Sequence, residues 1–294
     1  MKRIFSTIIL ILFLCGCAPS GADAQIAATT LPVYEFTARL CEGTGITVTR
    51  LVTEEVSCLH DYSLNVRQVK AAEAAELIVI SGAGLEEFME DLIHDRTVVD
   101  ASAGVELLCP EEEEDHHHEH DHGHEGHHHE SDPHIWLSPV HAAHMARNIC
   151  VGLTEAYPAH ATTFLSNLDA LTAELEALDT YGRETLTDLS CRDIITFHDG
   201  FAYFAQSFDL HILRAVEEES GSEASAQELK HLIEEVEHHA LPAIFTEKSG
   251  SVSAAGVISR ETGCGIFTLD MAMAGDSYFE AMYRNINTIK EALG

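Results

Sequence analysis

The sequence predicts an α/β protein built of two lobes, each with a parallel sheet. Three observations predict it. Short β-branched runs alternate with amphipathic helical stretches from residue 26 to about 99, the same alternation returns after residue 190, and a long helical pattern without proline lies between. Strands that alternate with helices pair in parallel and are covered on both faces. The chain has 294 residues and 46% hydrophobic residues against 22% charged, enough apolar surface for two cores.

The chain opens on an address. Lys2 and Arg3 precede an apolar run of 11 residues from Ile4 to Leu14, a secretory pattern well short of the about 20 needed to span a bilayer. Leu14-Cys15-Gly16-Cys17 resembles a bacterial lipobox, with cleavage after the small Gly16 leaving Cys17 to carry the lipid; plain cleavage near Ala22 to Ala24 is the competing reading. Residues 1–17 are therefore read as a lipoprotein signal peptide, and 18–25, small and Pro/Gly-containing, as a tether. This places the protein outside the cytoplasm, anchored on the extracytoplasmic face of a membrane.

The first lobe is read as residues 26–158. Ile26 to Thr29 is a strand; Pro32 starts a helix that runs to about Cys41, where Gly43 and Gly45 stop it. Ile46 to Val52 is strand-like, Val66 to Ala75 helical, Leu77 to Ile80 a buried strand, Glu86 to Ile93 helical and Thr97 to Val99 a fourth strand. The segment 159–189 carries Phe164, Leu168, Leu171, Leu175, Leu178 and Leu186 at helical spacing. One long helix and two shorter helices broken at Gly182 fit that periodicity equally.

The second lobe is read as residues 190–294. Asp193 to Phe197, Leu210 to Val216, Ala243 to Thr246 and Gly265 to Leu269 are its strands, and Phe201 to Phe208, Ser225 to His239, Ser253 to Glu261 and Tyr278 to Leu293 its helices. Six cysteines remain after Cys15 and Cys17: Cys41, Cys58, Cys109, Cys150, Cys191 and Cys264. They form no Cys-x-x-Cys pair, and about fifteen pairings are open in an exported chain. Cys41 and Cys150 lie on helical apolar faces and fit buried thiols as well as bridge partners.

Charge narrows the partners. With 49 Asp and Glu against 16 Lys and Arg the net charge is −33, which argues against nucleic acid, held chiefly by Lys and Arg, and favours a cationic ligand. Glu111 to Glu130 interleaves nine histidines (His116, His117, His118, His120, His122, His124, His127, His128 and His129) with nine carboxylates. Having no apolar residue to bury, it reads as a solvated loop that binds borderline metals weakly and in many geometries. Because tags sit at termini and lack interleaved acids, an affinity tag is a poor explanation.

Four isolated positions are sharper. His60, His134, His198 and Asp270 each stand just after an expected strand, two per lobe. Parallel α/β sheets bind ligands beyond the carboxyl ends of their strands, so facing lobes would bring the four together. Three imidazoles and a carboxylate suit tetrahedral Zn2+, and four protein ligands close the shell that a catalytic zinc keeps open. No His-Glu-x-x-His, Gly-x-Ser-x-Gly or Gly-rich phosphate loop is present. The metal reads as cargo, and the chain as a binding protein rather than an enzyme.

These blocks reach a family. His60-Asp61-Tyr62, Gly82-Ala83-Gly84-Leu85-Glu86, Asp132-Pro133-His134-Ile135-Trp136-Leu137-Ser138-Pro139, Phe197-His198-Asp199-Gly200-Phe201-Ala202-Tyr203-Phe204, Thr246-Glu247 and Gly275-Asp276-Ser277-Tyr278 strongly resemble the metal-binding solute-binding proteins of ABC importers, the zinc, manganese and iron receptor group. The resemblance implies two α/β lobes joined by a rigid helix, hence the unbroken reading of 161–189. It also implies a metal site in the interlobe cleft with His60, His134, His198 and Asp270 as ligands, and an acidic His-rich loop of the kind that marks zinc receptors. A monomer delivering Zn2+ to a membrane permease is the function it implies. Two departures stand out: Ser63-Leu64 replaces the Glu-Pro usual after His-Asp-Tyr, and Leu59 excludes an acidic ligand before the first histidine. Three other functions compete. An exported zinc hydrolase would use the three histidines with Asp270 as base, a surface adhesin or metal buffer would work through the His tract, and a manganese receptor would more typically carry a carboxylate at 198.

Overall fold

A computed structural model describes residues 24–56, 59, 62–108, 131–217, 225–248 and 252–294. The leader with Cys17, the tract 111–130, His60, Cys58 and Cys109 lie outside the described residues. The first lobe contains β1 (Ile26–Ala28), α1 (Leu31–Leu40), β2 (Val48–Arg50), α2 (Val66–Ala74), β3 (Leu77–Ile80), α3 (Glu90–Ile93), β4 (Val98–Asp100) and α4 (Pro139–Ala156). After α5 (Ala161–Thr185) the second lobe runs through β5 (Asp193–His198), α6 (Ala202–Phe208), β6 (His211–Glu217), α7 (Ala226–His239), β7 (Ala243–Glu247), α8 (Ser253–Thr262), β8 (Gly265–Leu269) and α9 (Tyr278–Leu293).

Both sheets are four-stranded and parallel, and they share one topology. The orders are β2-β1-β3-β4 and β6-β5-β7-β8. In each, strand order reverses between the first and third strands, which opens a crevice at their carboxyl ends. Local chemistry sets the helix ends. Asn65 with Gln68 and Ser225 with Glu228 form reciprocal caps on α2 and α7, and Gly263 in the left-handed region ends α8.

The sequence reading differs from the structure at several places. Helix α4 is expected only as an apolar helical face around Cys150, without bounds. Its apolar face is spread over Ala142, Ala143, Met145, Ala146, Ile149, Cys150 and Leu153, all buried, but its alanines and histidines dilute the pattern. The stretch 86–93 is a 3-10 turn over Glu87–Met89 followed by the single turn α3. Residue 134 follows no strand among the described residues: it caps a 3-10 turn over Ile135–Leu137 that leads into α4.

Helix α5 runs unbroken through Gly182 and ends at Thr185, four residues short of the expected 189. Its 25 residues span about 37 Å. Gly182 is there for packing: a Cβ would lie 2.2 Å from Phe208 Cε1, so the missing side chain seats α6 against α5. The helix packs on α1 and α4 of the first lobe and on α6 and α9 of the second. Its Phe164, Leu171, Leu175 and Leu178 belong to one buried cluster that continues from Phe36 and Trp136 to Phe204, Tyr278 and Met282, so the lobes share a core. Cys41, Cys150, Cys191 and Cys264 are free thiols, and burial pushes the Cys41 thiol up to about 12, an unreactive state. No helix among the described residues is long and apolar enough to cross a membrane.

Candidate metal-binding cleft

His198 is the last residue of β5, at the carboxyl end of the strand beside the switch point, and is 3% exposed. His134 approaches from the first lobe, also 3% exposed. Their rings stand perpendicular, at 86°, with centroids 5.3 Å apart. Two buried imidazoles from different lobes thus meet edge to face. Gly200 makes the approach possible: a Cβ there would lie 2.9 Å from His198 Cδ2, 3.1 Å from His134 Cε1 and 2.6 Å from Met271 Cε.

The orientation of His134 is fixed by Asp132. Its Nδ1 is 2.8 Å from Asp132 Oδ1, the oxygen that also accepts the His134 backbone N–H at 2.8 Å. A carboxylate that accepts from Nδ1–H leaves Nε2 with its lone pair outward, the state a metal needs. Trp136 packs edge-on against His134 with centroids 5.3 Å apart, and its Nε1–H donates to Met271 O at 2.7 Å. Tyr278 Oη donates to Trp136 O at 2.7 Å, so the 3-10 turn is clamped both to the loop after β8 and to the first residue of α9.

Asp270 starts that loop. Its backbone N–H donates to Asn285 Oδ1 at 2.8 Å, and Asn285 Nδ2 returns a bond to Asp270 O at 2.7 Å. Oδ1 accepts the Ala272 N–H at 2.9 Å, while Arg284 reaches Oδ2 at 3.2 Å. A cavity beside it is lined by Glu55, Glu247, Lys248 and Met271. Glu247 is the last residue of β7 and is buried. Lys248 pairs across the lobes with Glu55.

The structure thus brings together two of the four expected positions, His134 and His198. Asp270 lies in the adjoining cavity with Met271, whose methyl comes up against Gly200 beside the histidine pair. Among the described residues no group of three or more His, Cys, Asp or Glu side chains is placed to hold a metal ion; His60 is outside them. Asp132 and Gly200 were not singled out from the sequence. An acidic residue two before a candidate ligand, and a glycine two after one, were the signals.

The family model described as ZnuA, zinc-uptake complex component A, periplasmic, matches residues 26–292. The zinc-binding lipoprotein AdcA of Streptococcus pneumoniae is 31% identical over 297 residues, covering 95% of this chain and 58% of its own length. The chain therefore spans little more than half of that relative. A putative metal-binding protein of Treponema pallidum is 30% identical over 241 residues, 79% of this chain and 76% of its own. A crystal structure of ZnuA superimposes with a TM-score of 0.76 at 29% identity, covering 92% of this chain and all of the other. The Zn(II)-bound ZnuA-like domain of Streptococcus pneumoniae AdcA gives 0.74 at 26% identity over 91% of this chain and 98% of its own.

Proposed function

The chain belongs to the family of periplasmic component A of zinc-uptake complexes, and from that premise we propose that it is an extracytoplasmic receptor that captures Zn2+ and delivers it to the permease of an ABC importer. The observation that carries the reading is the His134–His198 pair: two buried imidazoles, one from each lobe, with a carboxylate orienting the first. Imidazole nitrogen suits Zn2+, whereas Mn2+ prefers oxygen-rich shells. Likeness to the zinc-binding lipoprotein AdcA and to the zinc-bound ZnuA-like domain supports the same cargo.

We assign His60 and Asp270 as the remaining ligands. Four protein ligands leave no position for a reacting water, so the metal is carried rather than used in catalysis. Asp270 joins the shell by turning Oδ2 from Arg284 towards the cleft. The histidines of 111–130 are auxiliary weak sites, Cys17 is the lipid-bearing residue that holds a monomeric receptor at the membrane, and the permease is the partner.

Calorimetric titration with Zn2+ tests the assignment. One steep event should survive deletion of residues 111–130 and disappear in His198→Ala, while shallow events should vanish with the tract. A steep event untouched by His198→Ala removes that residue from the site.

A further inference from the structure

Glu86 is a buried carboxylate that the metal site does not use. It is 4% exposed and sits below the carboxyl ends of β1 and β3, at the switch point of the first lobe. Three donors converge on it: Thr29 Oγ1–H at 2.6 Å and Ser81 N–H at 2.7 Å on Oε1, and Gly82 N–H at 2.9 Å on Oε2. The turn that aims those amides is strained. Gly82, Ala83 and Gly84 are all left-handed, with φ of 83°, 55° and 84°, and for alanine that conformation is costly. Glycine is required at 82, where a Cβ would lie 1.9 Å from Asp100 Oδ1. This is an anion-binding turn at the place where doubly wound folds take their ligands, filled by the protein's own carboxylate.

What this carboxyl group holds leads to the cleft. Thr29 accepts the Val52 N–H at 2.9 Å and donates its own N–H to Val79 O at 3.1 Å, so three strand ends meet there. Thr30 Oγ1 is 2.9 Å from Ser81 Oγ. The next residue, Leu31, crosses the cleft: its N–H donates to Met273 O at 3.1 Å, in the loop that begins at Asp270. Arg50 on β2 reaches Gly275 O of that loop at 2.8 Å. The loop is itself strained, with Ala272 buried at φ 55°, and needs outside support to persist.

We propose that Glu86 is a positioning residue for metal capture, a buried carboxyl group that fixes the edge of the first lobe against which the Asp270 loop is held. The inference rests on the reading of the cleft as a zinc site. Glu86→Gln is nearly isosteric but chemically wrong, because its NH2 must face the Gly82 N–H or the Ser81 and Thr29 donors, and a donor pressed on a donor forfeits the bond. Thr29→Val removes one donor, whereas Thr29→Ser keeps it.

The test measures zinc affinity at pH 8 by competition with a chromophoric chelator, and exchange of the Leu31 amide, in the full mature chain. A control, Leu153→Ala, removes a buried side chain of α4 outside this network; a Leu153 substitution is chosen whose loss of Tm matches that of Glu86→Gln. Glu86→Gln and Thr29→Val should weaken zinc at least fivefold and speed Leu31 exchange at least tenfold, while Thr29→Ser and the control stay within twofold of wild type. Equal losses in Glu86→Gln and the control would overturn the proposal, leaving Glu86 a stability residue only. Failure of the wild type to bind zinc would instead overturn the receptor reading, and the Leu31 exchange rates would still decide whether Glu86 holds the loop.

Discussion

Replacing Gly200 with alanine puts a single methyl into the narrowest part of the cleft. The added carbon would stand 2.9 Å from His198 Cδ2 and 3.1 Å from His134 Cε1, where carbon atoms rest at about 3.5–4.0 Å. The third contact, 2.6 Å to Met271 Cε, is with the end of a flexible side chain that can swing away. The rings cannot: His134 is held by Asp132 and Trp136, and His198 ends a central strand. Relief therefore requires the two rings to part by several tenths of an ångström, and overpacking of this size costs about 1–3 kcal/mol. If that cost falls on the metal-bound geometry, zinc affinity drops by about five- to 150-fold. Chelator competition reads the affinity and thermal unfolding of the metal-free protein reads the strain. Adding Met271→Ala should relieve only the methyl contact and leave affinity low. A Gly200→Ala protein with zinc affinity within twofold of wild type and unchanged Tm would refute the reasoning.

Further outcomes follow from the same contacts. Asp132→Asn should weaken zinc by about 10- to 100-fold through loss of the orienting carboxylate, with little change in Tm; an unchanged affinity in chelator competition would mean that another group orients His134. Glu86 carries a pH signature, since burial, opposed by its three hydrogen bonds and assisted by Asp100, raises its pKa from 4.5 to about 7. The folded protein therefore holds this proton more tightly than the unfolded chain, so its contribution is fully present below about pH 4.5 and is lost as pH rises through about 7, on the order of 3 kcal/mol across the window. Denaturant unfolding of wild type against Glu86→Gln should show that difference shrinking with rising pH; a difference that grows would reverse the sign. Zinc loading should raise thermal stability by about 4 kcal/mol at a thousandfold excess over Kd and leave the radius of gyration of protein lacking residues 111–130 nearly constant, because α5 and the shared core resist hinge opening. A large contraction in small-angle scattering would mean that the connection bends.

The alternation of strands and helices was legible because each element carries its own period, and the eight strands among the described residues lie where short apolar runs stand in the sequence. Gly182 was ambiguous for a physical reason. Glycine both weakens helices and lets them pack closely, and only the position of Phe208 decides between these roles. Helix α4 was legible only around Cys150, because alanine is a weak hydrophobic signal although Ala142 and Ala146 are fully buried where α4 packs against α5 and α1. At the site, histidine and carboxylate types could be read, but not their partners. Asp132 acts through a two-residue turn, Gly200 through the atoms it lacks, and Glu86 through backbone amides aimed by three left-handed residues. Such contacts are properties of a folded turn rather than of residue type. Placing His134 after a strand failed likewise, since the rule of strand ends applies to the sheet and this residue caps a 3-10 turn that leads into α4.

The most direct test is an anomalous difference map, collected at the zinc absorption edge, from crystals of the protein loaded with one equivalent of Zn2+. One dominant peak is expected in the cleft, about 2.0–2.1 Å from a nitrogen of His134 and of His198, with His60 and the Asp270 carboxylate completing the shell. A dominant peak elsewhere, or one in the cleft that leaves either of these two imidazoles uncoordinated, would contradict that assignment.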